Sequence, residues 1–282
     1  MKKSGGVTKS KAAAALPSVL TVLLALLYLF PFALAVLTAM KDPMQSARNV
    51  LAWPDPIQWD NFKEAIRVSK LSTAIGNSLI TTTCSVVFIT LFSAMGGYVI
   101  ARNRHKWLFR FSEKLYLAAL MVPFQVIMVP IYKMFKTMHL MNTLAGAILI
   151  LVGTSIPYAT FLYVGFVKSV PRELEEAAQT DGCGPFRAFF QIVLPLLKPI
   201  TAVVAALHVL WMWNEFNISL IVLQKEAVRT VPIQQYFFFG QYSSNFNLGF
   251  AAAVVSMLPI VAFFLLAQRY LVEGIAAGAI KG

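Results

Sequence analysis

Polar side chains lie inside several runs of apolar sequence that carry almost no charge. Asn214, Glu215 and Asn217 fall within one run, and Gln125 and Tyr158 fall within two others. Placing polar groups in hydrocarbon is unfavourable, so such residues are candidates for function. Amides and aromatic rings suit the hydroxyls and apolar faces of sugars, whereas their alternative role is hydrogen bonding between helices. These positions are therefore candidates for contact with a substrate along a pathway through the membrane, and both roles stay open.

Glu215 is the only charged residue in the apolar run 199–224. A carboxylate within a membrane can bind a proton or a sodium ion, so an ion-coupled secondary transporter that uses Glu215 is an alternative function. Internal repeats are common in such transporters, and no two apolar runs of this chain are alike enough to suggest one.

Other chemistries lack the residues that they need. The chain contains no Gly-Lys dipeptide, so it has no phosphate-binding loop and is not itself an ATPase. No His, Cys and carboxylate residues have the spacing of a metal site, and no nucleophile, base and orienting group occur together. We therefore expect no enzyme activity, metal or cofactor on this chain. Cys84 and Cys183 are predicted to be free thiols.

The segment 171–199 has the pattern of two short helices joined by a turn. Pro171 suits the first turn of a helix, where its missing N–H matters least. Three acidic residues follow in that first turn, where the helix dipole favours negative charge: Glu173, Glu175 and Glu176. Gly182 can adopt the left-handed conformation that ends a helix. A second helix is predicted at 185–193, and it is stopped by two prolines, Pro195 and Pro199.

One face of the first helix is predicted to be shallow. Leu174, Ala177, Ala178 and Asp181 recur at spacings of three and four residues, which places them on the same side. The two alanines leave room for the side chains of another protein. The segment could thus receive a push from a soluble partner and pass it on as a rigid lever, or it could be a plain surface helix pair that closes a long loop.

The same segment resembles a known signature. Glu176-Ala177-Ala178, then Gly182, then Ile192-Val193-Leu194-Pro195 match Glu-Ala-Ala, three residues, Gly, nine residues, Ile-x-Leu-Pro, and Asp181 also fits. This pattern is similar to that of membrane subunits of binding-protein-dependent ABC importers. Trp213-Asn214-Glu215-Phe216 resembles a stretch of carbohydrate-importer subunits, and 274–282 resembles the tail of the maltose-type second membrane subunit. Cys183-Gly184 departs from many relatives, and we expect a small effect on the turn only.

The resemblance implies a mechanism and partners. A homologous second membrane subunit would complete the pathway, and two ATPase subunits, which carry ATP and Mg, would each grip one loop such as 169–199. An extracytoplasmic solute-binding protein would deliver the sugar. The residues implied in ATPase coupling are Leu174, Glu176, Ala177, Ala178, Asp181, Gly182 and Pro195.

Composition indicates an integral membrane protein. The chain is 58% hydrophobic and 13% charged, whereas soluble proteins are about 25% charged. Six apolar runs can each supply the ~20 residues of a membrane-spanning helix, which predicts an all-α fold with six transmembrane helices. The predicted spans are 16–38, 75–100, 115–132, 144–166, 199–223 and 248–270. They form one domain, 16–270, between the cytoplasmic tails 1–15 and 271–282, and Pro123 and Pro130 are expected to kink the third span.

The net charge of +12 is explained by basic residues that orient the protein in the membrane. Basic residues cluster at the ends of apolar runs, as in membrane proteins, and not on one face as in nucleic-acid-binding proteins. The dense cluster 102–114 indicates a cytoplasmic loop, which places both termini in the cytoplasm of a bacterial cell with the inner membrane and its lipid around the spans. Ala33-Leu34-Ala35 could be a signal-peptide cleavage site, but the preceding apolar stretch is longer than a signal core.

Overall fold

The structure is a computed structural model that describes residues 11–241 and 245–279, with side chains described for 17–240 and 245–269. All regular structure in these residues is helical, which confirms the predicted all-α fold. The parts of the predicted tails at 1–10 and 280–282 lie outside the described residues. Cys84 and Cys183 are free thiols, as predicted.

The helices follow one another with short connections. Their bounds are α1 Lys11–Ala39, α2 Pro43–Arg48, α3 Asp60–Val68, α4 Leu71–Arg102, α5 Trp107–Leu120, α6 Phe124–Thr137, α7 Leu144–Val167, α8 Glu173–Thr180, α9 Pro185–Ala188, a π-helical turn Phe189–Val193, α10 Leu194–Leu196, α11 Lys198–Trp213, α12 Asn217–Val222, a 3₁₀ turn Glu226–Val228, α13 Val231–Gln241 and α14 Phe246–Ala279.

Among the described residues, four helices are long and apolar enough to cross a membrane: α1, α4, α7 and α14. Two bent pairs raise the number of spans to six if each pair counts as one, namely α5 with α6, bent by 101°, and Pro185–Leu196 with α11, bent by 74°. The predicted tail boundaries differ from the helix ends, because α1 already begins at Lys11 and α14 continues to Ala279. Apolar sequence alone does not mark where a helix leaves the bilayer.

The third predicted span is broken and not merely kinked. α5 ends at Leu120, and α6 begins after Pro123, whose backbone is extended with φ −61° and ψ 137°. A proline disfavours the helical conformation of the residue before it, so the chain turns there. The expected kink at Pro130 is less important, since α6 runs through this residue without a break.

The described chain divides into two compact units. In one of them, the described residues of 11–69 pack with those of 238–255 around polar contacts. Asn247 Nδ2 lies 2.8 Å from both Thr38 O and Lys41 O and 2.7 Å from Ser46 Oγ. The buried ammonium of Lys41 donates to the carbonyls of Asn49 and Val50 at 3.0 and 2.7 Å. The bond from Asn247 to Thr38 O satisfies a carbonyl at the end of α1, and the bonds from Lys41 satisfy carbonyls of the segment after α2.

The other unit, Lys70–Phe237 with the chain from Ser256 onward, contains α4, α7 and α11. These three helices share one apolar core, which we call the central cluster; its buried members include Ile89, Ala94, Val152, Ala159, Tyr163, Val167, Phe189, Val193, Leu197 and Val204. A second cluster joins α6, α7 and α12 through Phe135, Ala147, Ile150, Leu151, Ile218, Val222 and Leu223. Several members of the central cluster, among them Phe189, Val193 and Leu197, belong to the loop 169–199, so this loop packs into the core.

The close contact between α4 and α7 depends on Gly97. A Cβ atom at this position would lie 2.6 Å from Tyr163 Cβ and 3.1 Å from the backbone N of Val164. Backbone atoms cannot move aside as a flexible side chain can. The two helices therefore approach this closely only because residue 97 has a hydrogen atom in place of a side chain. The neighbouring Gly96 would place its Cβ no nearer than 3.8 Å from Thr160, an ordinary contact.

We predict that Gly97→Ala destabilises the protein by about 1–3 kcal/mol, the usual effect of overpacking a tight core. The matched control is Gly96→Ala, which adds the same methyl group one residue away and should leave stability unchanged. Thermal unfolding of both variants in detergent measures the difference. Equal unfolding temperatures for the two variants would show that α4 and α7 are not held at this distance.

Candidate functional site

The turn after α8 has the geometry that the sequence predicts. Gly182 has a φ of +80°, in the left-handed region that favours glycine. The N–H of Cys183 donates to Ala178 O at 2.9 Å, and the N–H of Gly182 donates to Gln179 O at 3.0 Å. This pair of bonds is the Schellman motif, which satisfies the last carbonyls of a helix and reverses the chain.

Both ends of the loop differ in detail from the prediction. α8 begins at Glu173 with Arg172 as its N-cap, so Pro171 precedes the helix and does not lie in its first turn. The second helix does not stop at residue 193 but continues as a π-helical turn and α10 to Leu196. In the π turn the N–H of Leu194 donates to Phe189 O, five residues back. Pro195 explains this widening, because its ring would clash with the carbonyl four residues earlier in an α-helix.

The carboxylate of Glu175 joins α8 to α4. Its Oε1 accepts from Arg102 Nε at 2.7 Å, and its Oε2 accepts from the hydroxyl of Tyr98 at 2.8 Å. A second guanidinium nitrogen of Arg102 donates to the carbonyl of Val170 at 2.9 Å. The side chains of Arg102 and Glu175 are only 14% and 5% exposed. Since buried charges must be paired, this contact fixes which side of α8 faces its own protein.

The prediction that Ala178 lies on the open, shallow face of α8 is therefore wrong. Ala178 and Glu175 are buried one turn apart, so this side of α8 packs against the rest of the chain. Leu174, Ala177 and Asp181 remain exposed, together with Glu176. The face that is open to a partner is rotated around the helix axis relative to the prediction, and it contains one of the two alanines.

The open side of the loop combines apolar and acidic groups. Leu174 is 44% exposed and Phe186 is 72% exposed, although both stand beside charged residues at the end of the spans. Because they lie outside the spans, these two exposed apolar side chains are candidates for contact with a partner. Glu176 lies 3.5 Å from Arg172 in an ion pair that is exposed on both sides, and such a pair contributes little to stability and is readily exchanged for another.

A further acidic residue, Glu113 on α5, connects two basic residues at the same end of the spans. Its carboxylate lies 2.8 Å from Arg104 Nε and 3.4 Å from Lys168 Nζ. Arg104 follows α4, and Lys168 lies directly before the loop. Both basic groups are much more exposed than Arg102, so these ion pairs are weaker restraints than the Glu175 contact.

The fifth predicted span is interrupted where its polar residues lie. α11 ends at Trp213, and Asn214 caps it by donating from Nδ2 to Leu210 O at 2.8 Å. The carboxylate of Glu215 accepts from the N–H of Ile218 at 2.7 Å and from the N–H and hydroxyl of Ser219 at 3.0 Å. Glu215 thus satisfies the first N–H groups of α12, and the continuous helix predicted for 199–223 is wrong.

The remaining predicted pathway residues are partly brought together. Tyr158 on α7 packs against α11, with its ring 5.2 Å from Trp211 and 6.2 Å from His208. Trp211 is 47% exposed and stands one turn before Asn214. Asn217 and Gln125 are exposed. Within the described residues, Gln125 makes no contact with the other four candidate pathway residues, Tyr158, Asn214, Glu215 and Asn217. The helix that carries Gln125, α6, packs on α12 through the second cluster.

The break between α5 and α6 also borders a cavity. This cavity of about 400 Å³ lies against α7 and is lined by residues of all three helices: Ala119, Leu120, Val122, Phe124, Ile127, Gly153, Thr154 and Pro157. Thr154 is one turn from Tyr158 on α7. The two interrupted helices, α5–α6 and α11–α12, therefore both contact the part of α7 around residues 153–158.

Sequence reasoning missed Arg102, Tyr98 and Trp211. Arg102 and Tyr98 are four residues apart at the end of an apolar helix, a spacing that could have indicated a polar contact on one face. Trp211 lies three residues before Asn214, and this spacing could have placed an aromatic ring beside the amide. No feature of the sequence could have shown that Tyr158 meets this ring, since the two residues are on different helices.

Comparison with known proteins identifies the family of the chain. Residues 93–276 match the family of binding-protein-dependent transport system inner membrane components. The probable starch degradation products transport system permease protein AmyC of Thermoanaerobacterium thermosulfurigenes is 37% identical over 93% of this chain and 95% of its own length. The melibiose/raffinose/stachyose import permease protein MelC of Bacillus subtilis is 34% identical over 94% of this chain and 96% of its own length.

A solved structure has the same fold. A chain of a bacterial ABC transporter involved in the import of the acidic polysaccharide alginate superposes with a TM-score of 0.77 at 20% sequence identity, covering 95% of this chain and 99% of that one. The family match includes α7, the loop with its glycine turn, and both halves of the interrupted fifth span. The protein belongs to the family of inner membrane components of binding-protein-dependent transport systems.

Proposed function

We propose that this protein forms one half of the membrane pathway of an ATP-driven importer for a sugar or oligosaccharide. A homologous second membrane subunit supplies the other half, a separate ATPase dimer binds ATP and Mg, and an extracytoplasmic binding protein delivers the substrate. The observation that carries this proposal is the loop 169–199. It is fixed to the protein on one side through Glu175, and on the other it exposes Leu174, Glu176 and Ala177.

In this proposal the ATPase grips the open side of the loop. Leu174, Ala177 and Asp181 contact a groove on the ATPase, and Glu176 exchanges Arg172 for a basic residue of the partner. Gly182 provides the reversal that keeps α8 and the following helix together, and Pro195 shapes the turn into α11. Ala178 supports the contact indirectly, because its small side chain lets α8 pack on its own protein.

The names of the relatives and the candidate pathway residues support a sugar as the class of substrate. AmyC and MelC carry names that refer to transport of sugars or starch products. Tyr158 and Trp211 offer aromatic faces, and Asn214, Asn217 and Gln125 offer amides at two interrupted helices. Aromatic faces and amides together suit the alternating apolar faces and hydroxyls of a sugar ring.

The basic residues support one orientation of the protein in the membrane. Arg102, Arg104 and Lys168 lie at the end of the spans where the loop begins, and short loops rich in Lys and Arg remain in the cytoplasm. The loop is then cytoplasmic, within reach of an ATPase, and both termini are on the same side of the bacterial inner membrane.

The alternative of ion-coupled transport through Glu215 is not retained. The carboxylate of Glu215 already accepts three hydrogen bonds from the start of α12, so its role in the structure is to cap a helix. Membership of a binding-protein-dependent family also argues for delivery by a binding protein.

We expect sugar uptake by the reconstituted importer to require ATP and its ATPase subunits and to be insensitive to an uncoupler. Uptake of radiolabelled sugar into proteoliposomes measures this, with the binding protein added on the outside and ATP inside. Empty liposomes and complexes without the ATPase serve as controls. Uptake that persists without the ATPase and collapses with the uncoupler would assign the protein to secondary transport.

Two changes in the loop should abolish sugar-stimulated ATP hydrolysis while membrane insertion is kept. Glu176→Lys reverses the charge offered to the partner, and Gly182→Pro cannot adopt the φ of +80° because proline is held near −65°. The matched controls are Gln179→Lys on the flank of the same helix and Gly184→Pro, whose φ of −68° suits proline. Normal stimulation in both loop variants would contradict the assignment of this surface.

Removing the ring of Trp211 should weaken the contact with sugar during transport. Aromatic contacts are worth about 0.5–1.5 kcal/mol, so Trp211→Ala should lower the sugar moved per ATP hydrolysed roughly 2- to 10-fold. Trp107→Ala is the control, because Trp107 is also exposed but begins α5 at the charged end of the spans. An unchanged ratio in Trp211→Ala, or an equal decrease in the control, would remove Trp211 from the pathway.

A further inference from the structure

Three contacts attach the loop 169–199 to the last turns of α4. Before α8, the carbonyl of Val170 accepts from Arg102 at 2.9 Å. Within α8, Glu175 accepts from both Arg102 and Tyr98. After the glycine turn, the ring of Phe189 lies 5.1 Å from that of Tyr98. Arg102 and Tyr98 are one turn apart on α4, so a single face of this helix holds the beginning, middle and end of the loop.

The backbone alone would not hold α8 in this position. Residues 168–172, between α7 and α8, are not part of a regular helix. The other ion pairs nearby, from Glu113 to Arg104 and Lys168, are more exposed, and neither of them contacts α8. The contacts of Glu175 therefore supply the buried charged restraint on rotation of α8 about its connection to α7, beside the apolar packing of Ala178.

We propose that Arg102, Glu175 and Tyr98 are positioning residues that make α8 and α4 move as one rigid body. This inference rests on the proposed function, in which α8 receives the motion of an ATPase. A push on the open side of α8 would then displace α4 and the central cluster, and would not be absorbed by rotation of the loop. The buried pair suits this role, because moving either partner away leaves an unpaired charge out of water.

The first test compares two glutamates of α8. Glu175→Gln removes the charge that meets Arg102, whereas Glu173→Gln removes an exposed charge from the same first turn. In the assembled importer, Glu175→Gln should keep basal ATP hydrolysis but reduce its stimulation by the sugar-loaded binding protein about 5-fold or more, the range of ordinary coupling between sites. Glu173→Gln should retain the stimulation.

A milder variant covers the case in which Glu175→Gln does not assemble. Tyr98→Phe removes one hydrogen bond to Glu175 and keeps the ring that packs on Phe189. It should give a smaller loss of stimulation in the same direction. Full stimulation in Tyr98→Phe and in any assembled Glu175→Gln complex would overturn the proposal, because a purely structural role would change the yield of the complex and not its coupling.

The second test measures the rigid body directly. Spin labels at Gln179 on α8 and Val99 on α4, both exposed, report the distance between the two helices. Cys84 and Cys183 are replaced by Ser in this background. Pulsed electron paramagnetic resonance on the full complex, without nucleotide and with ATP and vanadate, should give the same distance in both states. The Glu175→Gln complex should give a broader distribution.

The two proposals can fail separately. A distance that changes between the two states, in a complex that still transports sugar with ATP, would overturn the rigid body and leave the proposed function intact. Transport that does not need the ATPase would overturn the proposed function, whatever the distance between the labels.

Discussion

The carboxylate of Glu175 is the group on which the arrangement of the cytoplasmic loop depends. It is nearly inaccessible to water, so it must be neutralised and hydrogen-bonded, and Arg102 and Tyr98 meet both needs. Removing one partner of such a buried pair typically destabilises a protein by about 3–5 kcal/mol. The rotation of α8 about its axis is therefore fixed, and so is the choice of the residues that it offers to a partner. Because Glu175 and Ala178 must be buried on one side of α8, Leu174, Glu176 and Ala177 form the side that is open to a partner.

The need to pair buried polar groups also determines where the helices can be interrupted. Within a membrane each backbone N–H and C=O needs a partner, so a helix can break only where side chains replace the lost bonds. Asn214 supplies one such bond at the end of α11, and Glu215 supplies several at the start of α12. Polar residues in the fifth span thus have a structural role whether or not sugar passes beside them. Trp211 differs from them, since its large exposed ring satisfies no backbone group.

Much of the fold could be predicted from the sequence because the controlling signals are local. Charge-free runs located the spans, and Gly182 located the reversal after α8, since a left-handed residue is needed there. The errors arose where distant residues decide. Ala178 was assigned to the open face because spacing alone cannot show that Glu175, one turn away, finds its partner on α4. The break at Asn214 was missed because an apolar run looks the same whether or not its helix is continuous.

The two clusters indicate how a displacement of the loop reaches the pathway. Phe189 and Val193 of the loop belong to the central cluster with α4 and α11, whereas the interrupted helices α6 and α12 belong to the second cluster. Only α7 contributes buried side chains to both among the described residues, with Tyr163 and Val167 in the first and Ile150 and Leu151 in the second. Closely packed cores resist compression and transmit strain. Because Gly97 brings α4 directly against α7 beside Tyr163, a loop fixed to α4 can displace α7, and α7 extends from the loop to the residues that border the breaks.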